Sequence, residues 1–128
     1  MRLRDCQGQA LVEMALILPL LVLLIMGTWD LGHILGDYLL LLSASREGAR
    51  VGAVGASDEA IRARIKEAAP TLEITDDKIL ITPEEALRRP GVALQVRIEY
   101  EARLFTPLLS QLIPNPFPLK VETVMRVE

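Results

Sequence analysis

One cysteine, Cys6, and one histidine, His33, are all that the 128 residues offer of either type. A single thiol forms no intrachain disulfide. One Cys and one His also fall short of the ligands that a zinc site needs, so the sequence holds no metal set and implies no cofactor. Aromatic residues are scarce: one Trp, two Tyr and two Phe. With a formal net charge of −3 and no basic stripe, the chain lacks the features of a nucleic-acid binder, and nucleic acid is not an expected partner. No nucleophile stands beside a base, and no glycine-rich loop is built for phosphate. Glu84 and Glu85, following Pro83, read as the first turn of a short exposed helix rather than a carboxylate cluster. The chain is not expected to be an enzyme.

A further absence organises the chain. No charged residue occurs from Met14 to Trp29. The run Gln9–Trp29 measures about 31 Å as a helix, matching a hydrocarbon core of about 30 Å, and reads as a transmembrane helix. Arg2 and Arg4 precede it, whereas Asp30 and Asp37 follow it with no nearby Lys or Arg. The positive-inside rule therefore predicts a cytoplasmic N-terminus and an extracytoplasmic C-terminal part. Trp29 and Tyr38 are candidates for the outer interface. Cleavage by signal peptidase is disfavoured, because Met26-Gly27-Thr28-Trp29-Asp30 lacks the small-residue site. A lipoprotein signal is disfavoured because Cys6 precedes the apolar core. Pro19 removes one backbone hydrogen bond and predicts a kink.

Glu13 is the exception inside the apolar run. A carboxylate left at mid-membrane costs roughly 2.5–3.5 kcal/mol on insertion-based scales. It either snorkels to the cytoplasmic headgroups or has a partner. The stretches "GQALVEMALILPLLVLLIMG" (residues 8–27) and "SREGARVGA" (residues 45–53) resemble the TadE-like family of the tight-adherence (Tad/Flp) pilus system, type IV pseudopilin-like proteins. The C-terminal "VETVMRVE" (residues 121–128) is weakly similar to the ends of such chains. Two positions depart from the pattern: Gln7 stands where a basic residue is frequent, and Met14 where an aromatic is usual. The resemblance implies a leader cut by prepilin peptidase between Gly8 and Gln9, placing Glu13 fifth in the mature chain. The new ammonium on Gln9 would then need a counter-charge, which Glu13 of the same or a neighbouring subunit supplies. It also implies contact with other pilin or pseudopilin subunits and with the inner-membrane assembly platform.

Helical spacing continues past the membrane through Leu31, Ile34, Leu35, Tyr38 and Leu42. One helix is expected from about Gln9 to Val54. Small residues recur along it in two rows: Ala44, Gly48, Gly52 and Ala56, beside Ser45, Ala49 and Ala53. Glycine in a helix costs about 1 kcal/mol, so a close neighbour is expected there, either the rest of this chain or another helix. Arg46 and Arg50 repel at i,i+4, whereas Glu47 and Arg50 can pair at i,i+3. By the family pattern, Arg46, Glu47, Gly48, Arg50 and Gly52 are the candidate subunit interface. His33 reads as a hydrogen-bonded residue near the membrane exit.

Gly55 suits a left-handed helix cap and Ser57 an N-cap. A second helix is expected to about Ala69, with Ile61, Ile65 and Ala68 or Ala69 buried and Pro70 ending it. Three strands follow. Lys78–Thr82 is the first, with a reading that extends it back to Leu72. Val92–Glu101 points Val92, Leu94, Val96, Ile98 and Tyr100 to one face. Leu119–Glu128 points Leu119, Val121, Met125 and Val127 inward. Between the last two, Thr106–Ile113 suits a short helix and "PNPFP" (residues 114–118) a rigid loop. Alternation of this kind predicts an antiparallel sheet with one face in water.

The expected fold class is α+β: a long N-terminal transmembrane helix packed on a small three-stranded antiparallel sheet with one or two short helices, as in pilins. The expected division is a leader (residues 1–8), a transmembrane helix (9–29), its extension (30–55) and an extracytoplasmic domain (56–128). The function that the resemblance implies is a membrane-anchored component in assembly of Tad/Flp-type pili, as minor pilin or assembly factor, with a link to adhesion and biofilm. The alternative is an uncleaved single-pass protein whose outer domain binds a ligand or an adaptor partner.

Overall fold

The computed structural model describes the backbone of residues 2–128 and the side chains of residues 8–128. Helix α1 spans Arg2–Ala53 and passes Pro19 without interruption. Its end is built as the sequence suggests. Gly55 adopts φ +87, and its N–H donates to the Gly52 carbonyl while the Ala56 N–H reaches back to Val51. This Schellman arrangement satisfies two carbonyls at the C-terminus of α1. Ser57 then caps α2 (Asp58–Ala68), its hydroxyl accepting from the Ala60 N–H at 3.3 Å. Asp58 and Glu59 lie in the first turn of α2, where the helix dipole favours acids.

Three strands, β1 (Ile79–Thr82), β2 (Ala93–Ala102) and β3 (Phe117–Arg126), form an antiparallel meander in that order. Register places Ile79 opposite Ile98 and Val121 opposite Ile98 on its other side. Leu94, Val96, Ile98, Leu119 and Val121 are buried on the inner face, with Tyr100 and Met125 half-buried beside them. On the outer face Arg97 pairs with Glu122 and Lys120 with Glu99, directly across β2 and β3. The short helix α3 (Leu109–Leu112) lies between β2 and β3.

The sheet rests on α1, and the small residues explain how closely. Leu41, Ala44 and Ala49 of α1 join Ile61 and Ile65 of α2 and the inner strand residues in one core. A Cβ added at Gly48 would stand 2.6 Å from Ile65 Cγ1, and one at Gly52 would stand 2.4 Å from Leu94 Cδ2. The Ser45 hydroxyl lies 3.2 Å from the Val96 carbonyl and 2.9 Å from Thr123 Oγ1, so the buried polar group is satisfied by the sheet.

Two local readings need correction. The first strand does not reach back to Leu72: Leu72 and Ile74 are buried, but the backbone turns at Leu72 and again in a 3-10 turn at Asp76–Lys78. Alternation of buried residues there comes from a turning chain, and the adjacent acids Asp76 and Asp77 favour the turn. The "PNPFP" loop is shorter than expected, because Phe117 and Pro118 already pair with Ala102 and Glu101. Proline is tolerated there because β3 is an edge strand.

Gly52→Leu is expected to lower the thermal midpoint of the outer domain in detergent, followed by circular dichroism. Overpacking of this kind costs about 1–3 kcal/mol. Gly36→Leu is the control, since a Cβ there meets nothing within 4 Å. It should leave the midpoint unchanged or raise it.

Candidate functional site along the long helix

From Gly8 to Met26 every side chain of α1 is exposed except half-buried Leu23. Leu11, Leu16, Leu18, Leu20 and Leu24 are among the large apolar groups left uncovered. This helix is long and apolar enough to cross a membrane. Residues 8–26 span about 28 Å at 1.5 Å per residue, close to one hydrocarbon thickness. Packing by the rest of the chain begins at Gly27, where an added Cβ would lie 3.3 Å from Leu109 Cδ1.

The candidate processing residues sit at the free end of this segment. Gly8 and Gln9 are exposed, and nothing lies within 4 Å of a Cβ built on Gly8. Glu13 is exposed one turn beyond Gln9, on the same face of the helix. The readings that involve Arg2, Arg4, Cys6 and Gln7 fall on side chains outside the described residues.

The candidate subunit-interface residues divide. Gly48 and Gly52 are buried against α2 and β2 of the same chain. The close neighbour that these glycines need is therefore intramolecular. Arg46 and Arg50 are exposed and Glu47 is half-buried. Glu47 takes Arg50 at 3.3 Å, as the i,i+3 spacing suggests, and also Arg64 of α2 at 3.3 Å.

Two polar clamps were not anticipated. Arg88, with its side chain 4% exposed, pairs with Asp58 and donates to the carbonyls of Pro83 and Ala56. It ties the loop before β2 to the turn between α1 and α2. The second clamp lies at the membrane end of the domain. Asp30 of α1 is 1% exposed. Its carboxylate accepts the Phe105 N–H at 3.2 Å and the Thr106 N–H at 2.8 Å. The side chain of Thr106 acts most strongly in holding the Asp30 carboxyl below the usual carboxylate range, and the two amides and the nearby His33 act in the same sense against burial. The Thr106 hydroxyl is buried beside that carboxylate and has no hydrogen-bond partner among the described residues. His33 stands between two aromatic rings, 5.3 Å from Trp29 and 6.2 Å from Phe105 by centroids. The sequence signal for this clamp was an aspartate just past an apolar run with no basic partner nearby.

Asp30→Ala would orphan two N–H groups, at about 1–3 kcal/mol for each that stays buried. Hydrogen exchange at Phe105 and Thr106 should accelerate strongly, whereas Asp30→Asn, which keeps one acceptor oxygen, should be intermediate. The same contact sets a pH dependence. A carboxyl with a lowered folded-state pKa contributes its full stability above the ordinary value of 3.8. That contribution is lost as pH falls below 3.8 and through the lower folded-state value. Unchanged protection in Asp30→Ala would count against the clamp.

No curated protein and no solved structure matches the chain. The family model described as TadE-like protein matches residues 8–50. That match begins at the candidate cleavage glycine, covers Glu13 and Asp30, and ends at Arg50, the last arginine of α1. Over this stretch of α1, the chain is similar to the TadE-like proteins.

Proposed function

We propose that this protein is a membrane-anchored, pseudopilin-like component in assembly of Tad/Flp-type pili, acting through its helix rather than through catalysis. The observation that carries the reading is the division of α1. Its first part is apolar and uncovered, and its second part is the floor of a folded domain. A subunit built this way has a segment to store in a bilayer and a domain to present outside it.

The residues take the following roles. Prepilin peptidase cuts between Gly8 and Gln9, removing two arginines, one aspartate and Cys6. The ammonium freed on Gln9 lies one turn from Glu13. When the helix enters a bundle of subunits, the two charges neutralise each other across or within chains, and pairing of this kind sets register. The domain lies outside the cytoplasmic membrane because positive charge flanks only the N-terminal side of the apolar run. Above the membrane, Leu35 and Leu39 remain 58% and 56% exposed one turn apart. Together with Arg46, Glu47 and Arg50 they form the face offered to other pilin subunits and to the inner-membrane assembly platform. Pilus-dependent adhesion and biofilm formation would follow from that assembly.

Mass spectrometry of the protein from pilus-producing cells should find Gln9 as the first residue, and Gly8→Phe should leave the precursor intact. A full-length wild-type chain would overturn the processing step. A phosphatase fused after Glu128 should be active outside the cytoplasm; activity confined to a cytoplasmic reporter would reverse the topology. Glu13→Gln should still be inserted and cleaved, yet recover fewer partner subunits, because a buried ammonium without its counter-charge costs roughly 3–5 kcal/mol. Normal pili and normal partner recovery with Glu13→Gln would reduce the carboxylate to a snorkelling side chain.

A further inference from the structure

The segment from Leu104 to Leu119 contains no charged residue, although Arg103 and Lys120 bound it directly. It includes α3 and the loops on either side of it. Its place in the fold is set by α1. Leu109 packs at Gly27, and Asp30 holds the amides of Phe105 and Thr106. The segment therefore stands at the level where the uncovered apolar part of α1 ends. Its exposed groups are mainly apolar: Phe105 is 67% exposed and Leu112 79%, with Leu108 also exposed, beside uncharged Gln111 and Asn115. Trp29 projects from α1 at the same level and is exposed as well.

The backbone of this segment is also prepared for a medium poor in water. Pro107, Pro114, Pro116 and Pro118 carry no N–H. The Leu104 N–H goes to Asn115 Oδ1, and the amides of Ser110, Gln111 and Ile113 go to carbonyls within the segment. The Ser110 hydroxyl donates to the Pro107 carbonyl at 2.7 Å. These partners and the prolines reduce the number of backbone donors that need water, which eases contact with a low-dielectric surrounding.

We infer that Phe105, Leu108 and Leu112 insert into the headgroup–acyl boundary of the same bilayer leaflet that α1 leaves. They form a second, monotopic contact beside Trp29. The occupant of this surface is lipid, because the surface is continuous with the lipid-facing side of α1, uncharged throughout and located at the end of the span. Aromatic and aliphatic side chains on a short apolar element bind such a boundary by burying area in it. The contact fixes the tilt of the domain relative to the membrane, since α1 alone leaves rotation about its exit point free. The inference rests on reading α1 as a membrane span.

The test uses the full chain with Cys6→Ser, one copy per lipid nanodisc, carrying a nitroxide at a single introduced cysteine. Leu112→Cys and Leu108→Cys report on the segment, Leu18→Cys on the span, and Ala63→Cys on the exposed side of α2. Collision with oxygen, which partitions into lipid, is compared with collision with a water-soluble nickel chelate. The labels at residues 112 and 108 should resemble the one at residue 18, with high oxygen and low nickel accessibility, while the label at residue 63 shows the reverse. Lipid-like behaviour at residue 18 with water-like behaviour at both 108 and 112 overturns the inference and leaves the span intact. Water-like behaviour at residue 18 overturns the span itself. Shielding of 108 and 112 from both reagents would mean a protein cover, and would also overturn a lipid contact.

Discussion

A three-stranded sheet with one apolar face cannot stand alone in water, and everything in this protein follows from how α1 closes that face. The sheet supplies Leu94, Val96, Ile98, Leu119 and Val121, and α2 adds Ile61 and Ile65. None of these groups would be covered without α1, because the outer face of the sheet is given to ion pairs and solvent. Burial of each such side chain is worth about 1.5–3 kcal/mol, but only if the two layers meet without a gap. Gly48, Ala49 and Gly52 provide the flat helix surface that permits this, and the Ser45 hydroxyl meets the Val96 carbonyl. Helix-weakening glycine is tolerated because the sheet and α2 return more in packing than the helix loses.

The same constraint joins membrane and domain mechanically. The floor of the domain and the apolar run are one uninterrupted helix. A displacement of the membrane part is therefore transmitted to the sheet without a flexible linker. The two clamps stand at opposite ends of this junction. Arg88 secures the far end, where α1 turns into α2, and Asp30 secures the near end, where packing begins. A buried carboxylate that accepts two backbone amides and forms no salt bridge among the described residues is an acceptor of fixed geometry rather than half of an ion pair. It determines where the uncharged segment around α3 lies along α1.

Much of this was legible in residue order. Alternation located β2 and β3 to within two residues, Gly55 and Ser57 marked the turn between the helices, and helical spacing beyond Trp29 predicted one helix reaching to about Val54, although α1 begins earlier than the expected Gln9, at Arg2. Signals of that sort are local, and each depends on a few adjacent residues. The clamps are not local. Asp30 meets amides 75 and 76 positions away, and Arg88 meets Asp58 across 30, so a window of sequence can mark Asp30 as lacking a nearby basic partner but shows neither set of partners. The false extension of β1 has the opposite cause. Leu72 and Ile74 are spaced as in a strand and are buried as in a strand, yet the chain between them turns. Burial periodicity reports which side chains face the core, not whether the backbone has hydrogen-bonding neighbours. For the small-residue rows the pattern itself was clear but its partner was not: a glycine that admits a close neighbour reads the same whether that neighbour is a sheet of the same chain or another helix.

Resolving that ambiguity changes where assembly can act. Gly48 and Gly52 are consumed inside the chain, so in the assembly proposed above a neighbouring subunit would use the opposite side of α1. That side is apolar in a region that the protein does not cover, at Leu35 and Leu39, and becomes charged further up, at Arg46 and Arg50. A helix that buries one face and keeps leucines exposed on another is half of a packed core. In water such a stripe is a cost, and lipid reaches only its lower end. Within a bundle of similar helices the stripe would be covered from Leu11 to Leu39 in one continuous seam, with Glu13 as the sole charge along it. A lone charge in an apolar seam disfavours every register except those that bring a cation to it, so in the assembly proposed above Glu13 would give the helix a defined stopping point rather than a smooth slide.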